Sequence, residues 1–216
     1  MKKGAIFDMD GLMFDTEKIW QKCWTEVADE MKIDLDPRFR KEICGTSGDL
    51  MASIISKYYH VEDGHDIAKD VKQRVQNYLM IDVPEKPGVH EILKFFRDNG
   101  VKIAVASSST RGQIQRNLKK TNTEEYIDVI ASGTEIEHGK PAPDLFLLAA
   151  DLLGLAAEDC YVFEDAYNGV QAGAASGAAT IMIPDSLEPN EEMRAITAGI
   201  YPSLLAAMKA ISKGEI

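Results

Sequence analysis

Five short apolar runs, separated by helical patterns, constrain this chain more than any other feature. Gly4-Ala5-Ile6-Phe7 runs into Asp8, and Val101-Lys102-Ile103-Ala104-Val105-Ala106 runs into Ser107-Ser108-Ser109. Asp128-Val129-Ile130-Ala131, Cys160-Tyr161-Val162-Phe163 and Ala179-Thr180-Ile181-Met182-Ile183 complete the set. Runs of this length and composition read as buried strands. Each of the last four follows a helical pattern, over residues 89–99, 111–121, 144–153 and 167–176. Strand and helix in alternation predict an α/β fold, a doubly wound parallel sheet covered on both faces.

Residues 16–83 break the alternation. They are rich in helix formers and hold one proline, Pro37. Trp20, Trp24, Val27 and Met31 recur at helical spacing, as do Ile67, Val71, Arg74, Val75 and Tyr78, so this stretch reads as an all-helical insert. At that spacing the two tryptophans are expected to pack in a core rather than form a ligand platform. Pro84 and Pro87-Gly88 mark the return of the chain. The expected division is a core of residues 1–15 and 84–216 carrying an insert of 16–83.

Charge and cysteine usage narrow the setting. With 24 Lys and Arg against 35 Asp and Glu, the net charge of -11 repels nucleic acid and anionic membranes. An anionic substrate therefore needs a local cationic site. Cys23, Cys44 and Cys160 are odd in number, far apart and form no CxxC pair, which fits a reducing cytoplasm. No stretch approaches the roughly 18 unbroken apolar residues of a membrane span, and Asp8 and Asp10 interrupt the first apolar run too early for a signal peptide.

Ligands of open parallel sheets bind beyond the carboxyl ends of the strands. Asp8 and Asp10 follow the first strand, Ser107 and Ser108 the second, and Glu164 and Asp165 the fourth; Lys140 lies in the loop Gly139-Lys140-Pro141-Ala142-Pro143. Carboxylates gathered together repel one another unless a cation sits among them, and a hard, oxygen-rich set suits Mg²⁺. Asp8 and Asp165 are the expected ligands, with the Asp10 main-chain carbonyl and, through water, Glu164. Phosphate monoester hydrolysis needs a barrier lowered by over about 20 kcal/mol, and a carboxylate nucleophile divides it into two displacements. Asp8, rigid at a strand end, is placed for that attack. Lys140 would neutralise the equatorial oxygens, Ser107, Ser108 and loop N–H groups would hydrogen-bond them, and Asp10 would protonate the leaving oxygen and later deprotonate water.

Plainer uses of these residues bound the reading. Gly11 follows Asp10 directly, so the calcium-loop frame D-x-D-x-D-G is not met. Ser109 or Thr110 is expected to cap the next helix. Gly169, Gly173 and Gly177 form no dinucleotide fingerprint and are expected to allow close helix-to-sheet packing.

Taken in order, Asp8-Met9-Asp10-Gly11, Ser107, Gly139-Lys140-Pro141 and Glu164-Asp165 resemble the four motifs of the haloacid dehalogenase-like hydrolase superfamily. Asp15-Thr16-Glu17, Lys140-Pro141-Ala142-Pro143-Asp144 and Glu164-Asp165-Ala166-Tyr167-Asn168-Gly169 look like its branch of β-phosphoglucomutases and sugar-phosphate phosphatases. The resemblance implies a Rossmann-like core with a mobile helical cap, Asp8 as nucleophile, Asp10 as general acid and base, and Mg²⁺ as cofactor. Phosphoglucomutases of this branch carry a cap histidine and arginine where this chain has Trp20 and Gly48; Arg74 either resembles a cap lysine that meets substrate or is an exposed arginine of its helix. The expectation is a monomeric, Mg²⁺-dependent phosphatase acting on a small phosphorylated metabolite, a sugar phosphate first. A phosphosugar mutase is the alternative, and a non-catalytic binding module on the same fold the second.

Overall fold

The computed structural model describes residues 1–44, 46 and 48–216; Gly45 and Ser47 lie outside it. The chain divides into two compact units, Met1–Phe14 with Pro84–Ile216, and Asp15–Val83. Asp15 groups with the helices. In chain order, β1 (Gly4–Phe7) is followed by four helices, α1 (Thr16–Glu30), α2 (Arg38–Ile43), α3 (Gly48–Tyr59) and α4 (His65–Ile81). Then come α5 (Val89–Asp98), β2 (Lys102–Ser107), α6 (Arg111–Lys120), β3 (Val129–Ser132) and α7 (Asp144–Leu153). The chain finishes with β4 (Cys160–Glu164), α8 (Tyr167–Ala175), β5 (Ala179–Met182), α9 (Glu191–Ile196), β6 (Gly199–Ile200) and α10 (Leu204–Ser212).

The helical unit holds together through an aromatic cluster. Trp24 meets the Phe39 ring edge-on at 5.5 Å, and the Tyr59 hydroxyl donates to the Trp24 carbonyl at 2.7 Å. Trp20 stacks on Trp24 at 6.0 Å, so both tryptophans serve packing. On the outside of the α1–α4 pair, Tyr78 donates to Glu26 at 2.6 Å and Arg74 reaches Glu30. Among the described residues no helix is long and apolar enough to cross a membrane.

In the α/β unit six parallel strands lie in the order β3-β2-β1-β4-β5-β6. This is a doubly wound, Rossmann-like sheet, and the chain reverses its progress between β1 and β4. Strand residues alternate between faces. Ile6, Ala104, Ala106 and Val162 pack with Leu145, Phe146 and Ala149 of α7. On the opposite face Phe7 stacks on Phe163 at 4.6 Å and meets Phe96 of α5 at 6.1 Å. Burial on both faces explains why these strands read as unbroken apolar runs. α10 lies against α5, burying Leu204, Ala207, Ala210 and Ile211.

The register sets the site. Phe7 pairs with Val105 on one side and Phe163 on the other, so β1, β2 and β4 end side by side. Their next residues, Asp8, Ala106-Ser107 and Glu164-Asp165, emerge at one edge.

Candidate active site

Asp8 is buried, and its N–H continues the sheet by donating to the Phe163 carbonyl at 3.0 Å. Its Oδ1 accepts from Lys140 Nζ at 2.5 Å, and the same ammonium donates to Glu164 Oε1 at 2.6 Å. Lys140 comes from a loop containing a cis Lys140–Pro141 peptide, with its side chain only 6% exposed and 5.0 Å from the Phe146 ring. Burial alone would lower the Lys140 pKa, but the charges of Asp8 and Glu164 overcome it and raise it, keeping the ammonium charged.

Glu164 Oε2 accepts N–H bonds from Asp165 at 2.8 Å and Ala166 at 2.9 Å. The carboxylate turns back over the first turn of α8. A Cβ on Gly169 would fall 1.7 Å from Glu164 Oε1, so no larger residue fits there. Both oxygens of Glu164 are thus committed, one to Lys140 and one to the backbone. Glu164 thereby ties Lys140 to the start of α8.

Asp165 occupies space left by another glycine. Gly11 has φ +90°, the left-handed region that glycine adopts without strain, and a Cβ there would lie 2.4 Å from Asp165 Oδ2. The turn is closed by Gly11 N–H to Phe14 carbonyl at 2.9 Å and Met13 N–H to Met9 carbonyl at 3.0 Å. Burial first, then the charges of Glu164 and Asp8, raise the Asp165 pKa well above the usual carboxylate range. Asp8 is raised likewise, by burial first; Lys140 opposes the shift, while Glu164 and Asp10 add to it.

Asp10 Oδ2 accepts from Ser107 Oγ at 3.3 Å and Ser109 Oγ at 3.1 Å, and the Ser109 N–H donates to Ser107 Oγ at 3.1 Å. Of the two residues expected to cap the next helix, Thr110 does so, in a capping box with Gln113, and Ser109 is left for Asp10. The Ser108 side chain is exposed and makes no hydrogen bond found among the described residues; its main chain remains near the end of β2.

Arg74 belongs to the helical unit, where its guanidinium donates to Glu30 at 2.6 and 2.7 Å and to both Asp70 oxygens at 3.0 to 3.3 Å, tying α4 to α1. Of the turn that departs from the mutase pattern, Gly45 and Ser47 lie outside the described residues, and Gly48 opens α3.

The donor set fits a small, hard dication. Asp8, Glu164 and Asp165 present three carboxylates to one ammonium, and the excess charge is borne by oxygen alone. Among the described residues no three His, Cys, Asp or Glu side chains stand ready as a cage. Mg²⁺ takes only one or two carboxylates and fills its shell with water and substrate oxygen.

A family model, haloacid dehalogenase-like hydrolase, matches residues 5–183. A phosphorylated carbohydrates phosphatase of Thermotoga maritima is 30% identical over 179 residues, covering 81% of this chain and 82% of that one. Fructose-1-phosphate phosphatase YqaB of Escherichia coli K12 is 31% identical over 175 residues, covering 81% and 92%. Among solved structures, a HAD family hydrolase of Deinococcus radiodurans with bound phosphate and sodium superposes with a TM-score of 0.80 at 26% identity, covering 99% of this chain and 96% of that one. The chain belongs to the haloacid dehalogenase-like hydrolases.

Proposed function

We propose that the protein is a Mg²⁺-dependent phosphatase that moves a phosphoryl group from a small phosphorylated metabolite, foremost a sugar phosphate, onto Asp8 and then onto water. One observation carries this reading: a buried lysine bridges Asp8 and Glu164, and burial with the neighbouring carboxylates raises the pKa of Asp165 well above the usual carboxylate range. The two curated relatives named for phosphorylated carbohydrates and fructose 1-phosphate support the substrate class.

Asp8 presents one oxygen to Lys140 and keeps the other for phosphorus. As the Asp8–phosphorus bond forms, the bond to the leaving oxygen breaks and that oxygen takes a proton from Asp10. Water then attacks, gives its proton back to Asp10, and the phosphoryl group leaves Asp8. Ser107 and Ser109 donate to Asp10 in this structure, and with substrate bound the Ser107 hydroxyl and the N–H groups at the end of β2 would donate to the phosphoryl oxygens. Glu164 keeps Lys140 charged and aimed. Asp8, Asp165 and the main-chain carbonyl of Asp10 would hold Mg²⁺, which when bound neutralises charge on the transferring group. Residues 15–83 would act as the cap that excludes water and selects the leaving group. A cytoplasmic monomer completes the proposal, in keeping with three free cysteines and a net charge of -11.

The test is phosphate release from a panel of sugar, nucleotide and short-chain phosphates with and without Mg²⁺, alongside isomerisation of β-glucose 1-phosphate. Metal-dependent release is expected. Isomerisation without release would make the protein a mutase, and neither activity would make it a binding module.

Cation binding should depend on pH in a defined direction. Asp8 and Asp165 hold protons above the usual carboxylate range in the metal-free protein, and a metal ligand must release them. Apparent Mg²⁺ affinity should therefore rise from about pH 5.5 to about pH 8, by up to roughly a decade per unit for each proton displaced. Calorimetric titration in buffers of different ionisation enthalpy counts those protons. An affinity flat across that range would remove Asp8 and Asp165 as ligands.

A further inference from the structure

Ser132 takes part in no step above, yet it is fully buried where β3 ends, with Ser107 as its register partner at the end of β2. Its Oγ lies 2.8 Å from the Ser109 carbonyl oxygen and 2.9 Å from Thr134 Oγ1. A carbonyl can only accept and a hydroxyl has one proton, so the Ser132 proton goes to Ser109 and Thr134 is the donor in its pair. The Thr134 N–H adds a bond to the same Oγ at 3.3 Å. The turn is also held from its other side. The Ser132 N–H donates to Glu135 Oε2 at 3.1 Å, and Arg111, the first residue of α6, donates to the two Glu135 oxygens at 2.6 and 2.9 Å. Gly133 comes so close to the β2 loop that a Cβ there would stand 2.8 Å from Ser108 Cα and 2.9 Å from the Ser108 carbonyl oxygen. The end of β3 is therefore a fixed seat for Ser108 and Ser109.

Ser109 has its N–H on Ser107 Oγ, its hydroxyl on Asp10 Oδ2 and its carbonyl on Ser132. When substrate draws the single Ser107 proton to a phosphoryl oxygen, Ser109 is the one of these two serines that still donates to Asp10. Resting on the reading of Asp10 as proton donor to the leaving oxygen, we propose that Ser132 is a positioning residue: by fixing the Ser109 carbonyl it keeps the Ser109 hydroxyl on Asp10 and so aims the Asp10 carboxyl at the leaving group. Without that bond the Ser109 peptide loses its anchor, and a displacement of about 1 Å is enough to slow a positioned reaction tenfold or more.

The experiment measures kcat/KM, which reports the steps through phosphoryl transfer to Asp8, for the full chain and for Ser132→Ala, Ser132→Cys, Ser109→Ala and the double alanine variant. The alkyl substrates are fructose 1-phosphate, glucose 6-phosphate and glycerol 1-phosphate; the aryl substrate is p-nitrophenyl phosphate, whose leaving group needs little protonation. Ser132→Ala should lower kcat/KM roughly tenfold on the best alkyl phosphate and less than about twofold on the aryl one. Ser132→Cys, which keeps a weak S–H donor, should recover part of the loss. Ser109→Ala should show the same pattern at least as strongly, and the double variant should be no worse than Ser109→Ala, because Ser132 acts through Ser109. A residue that only supports the fold would cost both substrate classes alike. Equal losses on the two classes, unchanged kinetics, additive losses in the double variant, or unfolding of both Ser132 variants at the assay temperature would each overturn the proposal. A parent that releases phosphate from none of the three alkyl phosphates sinks the reading of the site and this inference with it; a parent that turns over beside Ser132 variants that match it removes the inference alone.

Discussion

Replacing Asp8 by Asn should reduce turnover by on the order of 10,000-fold or more while leaving the fold and substrate binding intact. The amide is nearly isosteric, and its oxygen can still accept from Lys140, which reaches Asp8 Oδ1 at 2.5 Å. What it lacks is the charge and nucleophilicity needed to attack phosphorus. The variant also tests the electrostatics independently. Burial, Glu164 and Asp10 raise the Asp8 pKa against the pull of Lys140, so the folded state holds this proton more tightly than the unfolded chain does. Ionised Asp8 consequently weakens the fold as pH climbs from about 4 through neutrality, and the amide escapes that cost. Metal-free Asp8→Asn should therefore melt no lower than the parent at about pH 7.5. Steady-state phosphate release and melting curves read both effects. Appreciable residual hydrolysis would rule out the covalent route, and a much lower melting temperature would show that the Lys140 pair outweighs the burial of Asp8.

Lys140→Met has the second largest expected effect and acts on folding as well as chemistry. The methionine fills the stem's space near Phe146 but leaves Asp8, Glu164 and Asp165 without their one ammonium. Removing one partner of a buried ion pair costs about 3–5 kcal/mol. The pH dependence has a fixed sign. Without the cation Asp8 and Asp165 hold their protons still more tightly in the folded state, so the stability deficit grows as pH rises through about 8, where Asp8 of the parent ionises, and shrinks toward acid. Mg²⁺ should recover part of the stability without recovering turnover, since the ammonium that faces the phosphoryl oxygens is still missing. Activity should fall by about a hundredfold to a thousandfold, the usual loss of one charge-stabilising group. A deficit independent of pH would mean that the lysine acts through packing alone.

Much of this arrangement was legible because chemistry and fold share a signal. Buried parallel strands are apolar along their whole length, so Asp8 and Glu164-Asp165 announce themselves as the point where an apolar run stops. The five longer strands were readable on that ground. β6 was not, because Gly199–Ile200 is two residues and carries no pattern, and the six-residue α9 is too short for a face. Side-chain direction was hidden as well. The orientation of Glu164 follows from the space left at Gly169, five residues on. The pairing of Arg74 with Glu30, 44 residues away, has no local signal. Ser109 and Thr110 both stand before a helix, and only the geometry shows that Thr110 caps it while Ser109 turns to Asp10. The bond from Ser132 to Ser109, joining one strand end to another, has no local periodicity from which it could be read.

An antiparallel bridge joins Phe14 to Glu85 where the chain leaves the α/β unit and returns to it, which carries a consequence for how such a protein diversifies. Exit and return of the chain are neighbours, so the α/β unit sees the 69 residues of Asp15–Val83 as a long hairpin loop grafted onto two adjacent positions. Lengthening, shortening or exchanging that graft leaves the six-strand register and the Asp8–Lys140–Glu164 chain unbroken, because none of their bonds runs through it. The inserted helices and the Asp8–Lys140–Glu164 chain are thereby free to be altered on separate stretches of sequence.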